Sequence, residues 1–167
     1  MQKLAMKIFL STVLIFLCLP GLAECGAADR YNEAALNGLS ETKVVFDINQ
    51  GNLARLLLRL KFVQTIWNQL NQFGTTPRFV LALRGKASRT TGEQYVHSED
   101  LADKHRVEEW LETFSKQGMA LEQCALAAGL QKIDINNFLP QITVIANGYI
   151  SLIGHQKKTM HLCRWTS

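Results

Sequence analysis

Among the side chains of this 167-residue chain that can act as nucleophiles, Cys124 has the most telling neighbours. Met119-Ala120-Leu121 reads as a short apolar strand, and the Ala/Leu run after Cys124 reads as a helix, so the thiol stands at a strand-to-helix corner. In alternating α/β chains the carboxyl ends of strands are where ligands and reacting groups collect. A thiol at a helix N-terminus also faces the positive end of the macrodipole, which favours thiolate over thiol. The chemistry on offer is nucleophilic attack by sulfur. The competing reading is a small buried hydrophobe, which is what many cysteines are.

Five other positions share that corner of the sheet. Asp47 and Asn49 follow a β-branched run and precede a long helix, a place where outward-pointing backbone N–H groups can hold an anion. A turn plus a helix cap accounts for the same residues and is the favoured reading, given the usual use of Asn and Asp. Arg84 ends a strand on the same edge, where a cation can stabilise a thiolate or orient an anionic sulfur compound, or merely be a solvated loop residue. Asn147 and Gly148 end a further strand and complete the rim, as ligand contacts or as ordinary turn residues. No Gly-x-Gly-x-x-Gly and no Walker sequence is present, which argues against a nucleotide. His97 and His105, like His155 and His161, lack the spacing of a helix-borne metal pair, so no metal and no cofactor is expected. No serine sits on a Gly-x-Ser-x-Gly elbow.

The elements that must position these residues alternate. Lys43 to Asp47 predicts a buried strand, and Leu53, Leu56, Leu57, Leu60, Val63, Trp67 and Leu70 fall at helical spacing after it. Leu58, Phe62 and Ile66 add a second apolar line, wider than one sheet face needs and therefore a candidate contact for another subunit. Gly74 stops the helix, and Phe79 to Leu83 predicts the next strand. Lys86 to His97 is polar and without periodicity, a loop. An amphipathic helix follows with Leu101, Val107, Trp110, Leu111 and Phe114 expected inside. Beyond the Cys124 corner, Asp134 caps a turn at Ile133 to Asn136, and Ile142 to Ile145 makes a fourth strand. Tyr149 to Gln156 predicts a helix with Ile150, Leu152 and Ile153 buried, and Thr159 to Cys163 a last strand. The pattern predicts a three-layer α/β/α sandwich on a mostly parallel five-stranded sheet.

The amino terminus reads differently. Lys3 and Lys7 flank an apolar stretch from Ile8 to Leu19, Pro20-Gly21 breaks it, and Gly21-Leu22-Ala23 offers small residues for a peptidase. This predicts a signal peptide over residues 1–23, a flexible lead-in over 24–42 with one helical turn at Glu33 to Leu36, and a domain over 43–167. The apolar stretch is short of the roughly 20 residues that span a bilayer. Glu24 stands where a lipoprotein signal needs a small residue before Cys25, so the mature chain carries no lipid and is free of the membrane. Loss of Lys3 and Lys7 brings the formal charge from +4 to +2, which offers nucleic acid nothing. Loss of Cys18 leaves Cys25, Cys124 and Cys163, an odd number in an oxidising compartment, so at least one thiol is free or bonded to another molecule.

Taken in order, Lys43-Val44-Val45-Phe46-Asp47, the Leu-rich helix, Phe79 to Gly85, Gly118-Met119-x-Leu121-Glu122-Gln123-Cys124-x-x-Ala127-Ala128 and Asn147 to Gln156 resemble the DsrE/DsrF-like family, in its exported branch, over nearly all of residues 42 to 163. The resemblance implies a sheet with helices on both faces and assembly into homo-oligomers, trimers or hexamers. It also implies that Cys124 carries sulfane sulfur as a persulfide, taken from a sulfur donor and passed to the thiol of an acceptor protein, in the periplasm.

Two further readings stand beside the sulfur carrier. One is a non-enzymatic module that binds a small anion or a protein on the rim of Asp47, Asn49, Arg84, Asn147 and Gly148. The other is a thiol–disulfide protein pairing Cys124 with Cys163 or Cys25, which the absence of a Cys-x-x-Cys motif argues against.

Overall fold

The computed structural model describes residues 32–92 and 100–165. The predicted signal peptide and residues 24–31 of the lead-in, Cys25 among them, lie outside these residues. Residues 32–36, in a separate amino-terminal unit that runs to Gly38, form the expected helical turn.

Five strands form one all-parallel sheet: β1 (Glu41–Ile48), β2 (Thr76–Leu83), β3 (Ala120–Cys124), β4 (Thr143–Ile145) and β5 (His161–Arg164), in the order β4-β3-β2-β1-β5. Helix α1 (Leu53–Gln72) links β1 to β2. A short helical turn, α2 (Ser88–Thr91), and the longer α3 (Leu101–Lys116) lie between β2 and β3. Helix α4 (Ala125–Leu130) leaves β3, and α5 (Gly148–Lys157) joins β4 to β5. Among the described residues no helix is long and apolar enough to cross a membrane.

Topology assigns the faces. The steps from β1 to β2 to β3 run in one direction, and right-handed crossovers put their helices on one face. There α1 packs on α3. The step from β4 to β5 runs back across the whole sheet, so α5 must lie on the other face, where it touches β1, β2, β3 and β5. Alternation along β3 agrees: Gln123 points to the α2 side and Glu122 to α5.

Local chemistry accounts for the elements. Asn52 caps α1 by accepting the Arg55 N–H at 3.0 Å, and the chain leaves the helix at Gly74, whose φ of +78° suits a residue without Cβ. Pro77 sits inside β2, yet the pairing of β2 with β3 starts only at Val80, so its missing N–H falls outside that ladder. The core holds Val45, Phe46, Ile48, Leu56, Leu60, Val63, Leu81, Leu83, Val107, Leu111 and Phe114. Each apolar helix stripe supplied part of it.

Three expectations are corrected. Lys86 onward is not all loop: Gly85–Ala87 is a 3-10 turn and Ser88–Thr91 is helical, with Ser88, Thr90 and Thr91 buried. The cause is polar, since Gln123 donates to the Ser88 hydroxyl and accepts from Thr91, a pattern that apolar periodicity does not reveal. The rest of that predicted loop, residues 93–99, lies outside the described residues. In α5 only Leu152 is buried among the expected three; Ile150 and Ile153 are 65% and 55% exposed. Leu101, at the very start of α3, is exposed as well. Leu58 and Phe62 of the second line on α1 are also exposed, which is the surplus beyond the sheet face that the sequence pattern implied.

Candidate functional site

The chain reverses its direction of travel after β4, so the carboxyl ends of β3 and β4 form the switch point where an open α/β sheet leaves a crevice. Cys124 is the last residue of β3 and the cap of α4. Its side chain is 4% exposed and its Sγ accepts two main-chain N–H groups, from Ala127 in α4 at 3.4 Å and from Gly148 at the start of α5 at 3.2 Å. Two helix N-termini thus converge on one sulfur. Asn147 caps α5 by accepting the Tyr149 N–H at 3.0 Å, which leaves the Gly148 N–H for sulfur. A Cβ at Gly148 would stand 3.1 Å from the Cys124 Cβ, so only glycine permits this approach undistorted.

Behind Gly148 lies a charged cluster. Arg84 holds the buried Asp47 through Nη2–Oδ2 and Nε–Oδ1 contacts, both 2.6 Å. Its Nη1 donates to the Tyr149 hydroxyl at 2.9 Å, and its guanidinium lies 4.4 Å from the Tyr149 ring centroid. Arg164, the register partner of Asp47 on β5, donates from Nε to Oδ2 at 2.8 Å. Burial works against the Arg84 charge, but the Asp47 hydrogen bonds and charge outweigh it, and its pKa moves up. Two arginines on one carboxylate leave the cluster itself with a formal charge of +1.

The predicted site residues therefore divide. Cys124 and Gly148 meet at the sulfur, Asn147 caps the helix that Gly148 begins, and Arg84 stands against Gly148 from the other side. Asp47 joins them from below, its carboxylate committed to two arginines, and so orients Arg84 instead of facing a ligand itself. Asn49 is exposed on the rim one strand further on, beside Gly85. Next to it opens a cleft of about 720 Å³ lined by Gln50, Gly51, Asn52, Lys86, Arg89 and Gln131, among others. Cys124 does not line that cleft, though Ala127 belongs to both.

Several participants were missed. Arg164 and Tyr149 become visible only once β5 is known to pair with β1 and α5 to fold back over Arg84. Glu122 also meets α5: it accepts from Ser151 Oγ and pairs with His155 Nε2 at 2.8 Å. Its place two residues before Cys124, on the same face of β3, was the available signal.

A Cys124–Cys163 disulfide does not fit this sheet. Cys163 sits on β5 opposite Phe46, with β2 and β1 between β5 and β3, and both thiols are free. Three strand spacings put the two roughly 14 Å apart, twice the reach of about 7 Å that a disulfide allows between Cα atoms.

No family model matches the sequence, and no curated protein matches it in sequence. Solved structures do match in shape. The protein MTH1491 of Methanobacterium thermoautotrophicum, described as of unknown function, superposes with a TM-score of 0.59 at 19% identity, covering 75% of this chain and 100% of that one. The ychN protein of E. coli superposes with a TM-score of 0.56 at 13% identity, covering 74% and 99%. The fold is DsrE/DsrF-like. At such identities the likeness is one of fold, and on a DsrE/DsrF-like scaffold as on any other, function is argued from the site.

Proposed function

We propose that this chain is an exported sulfur carrier that holds sulfane sulfur as a persulfide on Cys124 and passes it to the thiol of a partner protein, working in the periplasm as a homo-oligomer. The observation that carries the reading is the pair of main-chain N–H groups, from Ala127 and Gly148, aimed at one buried sulfur beside the Arg84 cluster. Amide donors of this kind serve a negatively charged sulfur, whether thiolate or perthiolate. The DsrE/DsrF-like fold agrees with the reading.

The step balances simply. The Cys124 thiolate attacks the outer sulfur of a donor such as thiosulfate; the new S–S bond forms as the old one breaks, and sulfite leaves. An acceptor thiolate then attacks the outer sulfur and releases Cys124 as thiolate. Burial of the sulfur protects the perthiolate from oxidants between the two steps.

The test is intact-mass spectrometry of the purified protein after brief exposure to polysulfide or thiosulfate, beside Cys124→Ser. A gain of one sulfur atom that reductant removes and the variant lacks is the expected result. No gain on a thiol shown to be alkylatable would end the reading for those donors. A second reading, a non-enzymatic module for a small anion, is favoured by the cleft with Lys86 and Arg89 in its wall. It requires that Cys124→Ser leave anion binding intact.

A further inference from the structure

The Gly148 N–H can serve Cys124 only while α5 keeps its place along the sheet, and apolar packing is a weak reason for it to do so. Of its apolar side chains only Leu152 is buried, against Val45, Val80 and Ala82, whereas Tyr149, Ile150 and Ile153 are exposed. The strand that leads into it, β4, is three residues long and lies at the sheet edge. What fastens α5 is polar. Tyr149 meets Arg84 at its first turn, and Glu122 of β3 takes Ser151 and His155, four residues apart and so on one side of the helix.

Glu122 is therefore held to the reacting residue at both ends. It stands two residues before Cys124 on the same strand and face, and its carboxylate grips the helix whose first amide bonds the Cys124 sulfur. A shift of α5 by a fraction of its 5.4 Å turn would break the N–H···S contact while leaving the helix intact. Ahead of Gly148 the chain is held by the three-residue β4, paired on one side only, and by the bond from the Leu126 N–H to the Ala146 carbonyl at 3.2 Å, so Glu122 is the anchor further along the helix.

We infer that Glu122 is a positioning residue for Cys124: by holding Ser151 and His155 it sets the register of α5 so that the Gly148 N–H meets the sulfur. The inference rests on the sulfur-carrier reading for its purpose, but not for its geometry. Glu122 touches neither Sγ nor a sulfur donor, and it acts through Gly148 alone.

Two measurements on the full chain test it, with Glu122→Ala, Glu122→Gln and the pair Ser151→Ala/His155→Ala, which covers the case that Glu122→Ala does not fold. The first is amide hydrogen exchange at Gly148 relative to Val80 and Leu81 in β2. Glu122→Ala and the Ser151/His155 variant should speed Gly148 exchange about tenfold, the loss of roughly 1.4 kcal/mol of local stability. The β2 amides should keep their protection, and Glu122→Gln, which can still accept from Ser151, should fall between. The second is a double-mutant cycle on the rate of sulfur uptake from polysulfide. Because Glu122 acts through the Gly148 amide, Glu122→Ala added to Gly148→Ala should cost no more than Gly148→Ala alone. Unchanged Gly148 exchange, equal loss of protection in β2, or additive effects in the cycle would each overturn the inference. Exchange needs no sulfur, so altered exchange in a protein that takes up no sulfur would refute the carrier reading and leave the positioning role standing.

Discussion

Gly148→Ala tests the sulfur site most directly, because the opposing effects can be worked out from the structure. Gly148 has no positive φ, so alanine fits the backbone there and should gain about 0.4–1 kcal/mol from a stiffer unfolded chain. Against this, the new methyl stands 3.1 Å from the Cys124 Cβ, 3.5 Å from its Sγ and 3.6 Å from the Arg84 Cβ. The Cys124 Cβ is fixed by β3, so the first turn of α5 must retreat by a few tenths of an ångström, at an overpacking cost of about 1–3 kcal/mol. Net stability should therefore fall by no more than about 2–3 kcal/mol. Function should suffer more selectively. The retreat lengthens the 3.2 Å N–H···S bond, and a hydrogen bond to a charged group is worth about 1.5–3 kcal/mol. Sulfur uptake should slow about ten- to a hundredfold, since each 1.4 kcal/mol is a factor of ten. The assay is a mass-spectrometric time course of persulfide formation on Cys124, beside a urea melt to confirm folding. Uptake at the wild-type rate in a folded Gly148→Ala protein would refute the claim that this amide stabilises charge on the sulfur.

Other substitutions probe the frame around it. Asp47→Ala leaves the buried Arg84 without its carboxylate and should cost about 3–5 kcal/mol, read as a lower urea midpoint; a midpoint within error of wild type would mean that Tyr149 and solvent suffice for Arg84. Gln123→Leu removes the partner of the Ser88 and Thr91 hydroxyls in a fully buried place and should cost about 2 kcal/mol, with faster amide exchange over residues 88–92 than in β2; uniform exchange across the domain would count against a local anchor. Burial pushes the Cys163 thiol pKa up. The folded state then keeps that proton longer than the unfolded one, so the contribution is whole below about pH 8.5 and lost as pH rises beyond it. Wild type should lose stability more steeply than Cys163→Ala above that pH, and parallel curves would show that the thiol titrates alike in both states.

The sheet was legible because its strands announce themselves locally. Val44-Val45-Phe46 and Phe79 to Leu83 are apolar runs bounded by turn residues, and each was placed within a few residues of its observed limits. The Cys124 corner was legible for the same reason, as a strand passing into an Ala/Leu helix. Segment 88–91 was not, because its burial is earned by hydroxyls bonded to Gln123, a residue more than 30 positions away. Apolar periodicity carries no trace of such a contact. Ile150 and Ile153 misled in the opposite sense: their apolar character says that a face is sticky, not that this sheet covers it.

Helix α5 shows where local reading ends and topology takes over. Nothing in Asn147-Gly148-Tyr149 says which sulfur the Gly148 amide will meet. That follows from the strand order alone, because a right-handed return from β4 to β5 must cross the face onto which Glu122 and Cys124 project. The crossing brings Tyr149 over Arg84, Gly148 onto Cys124, and Ser151 and His155 onto Glu122, with one buried leucine between them. A helix held by so little apolar surface can be moved at small cost. The polar contacts that hold it flank the one amide that α5 gives the sulfur, so whatever loosens α5 should also weaken the Gly148 N–H···S bond.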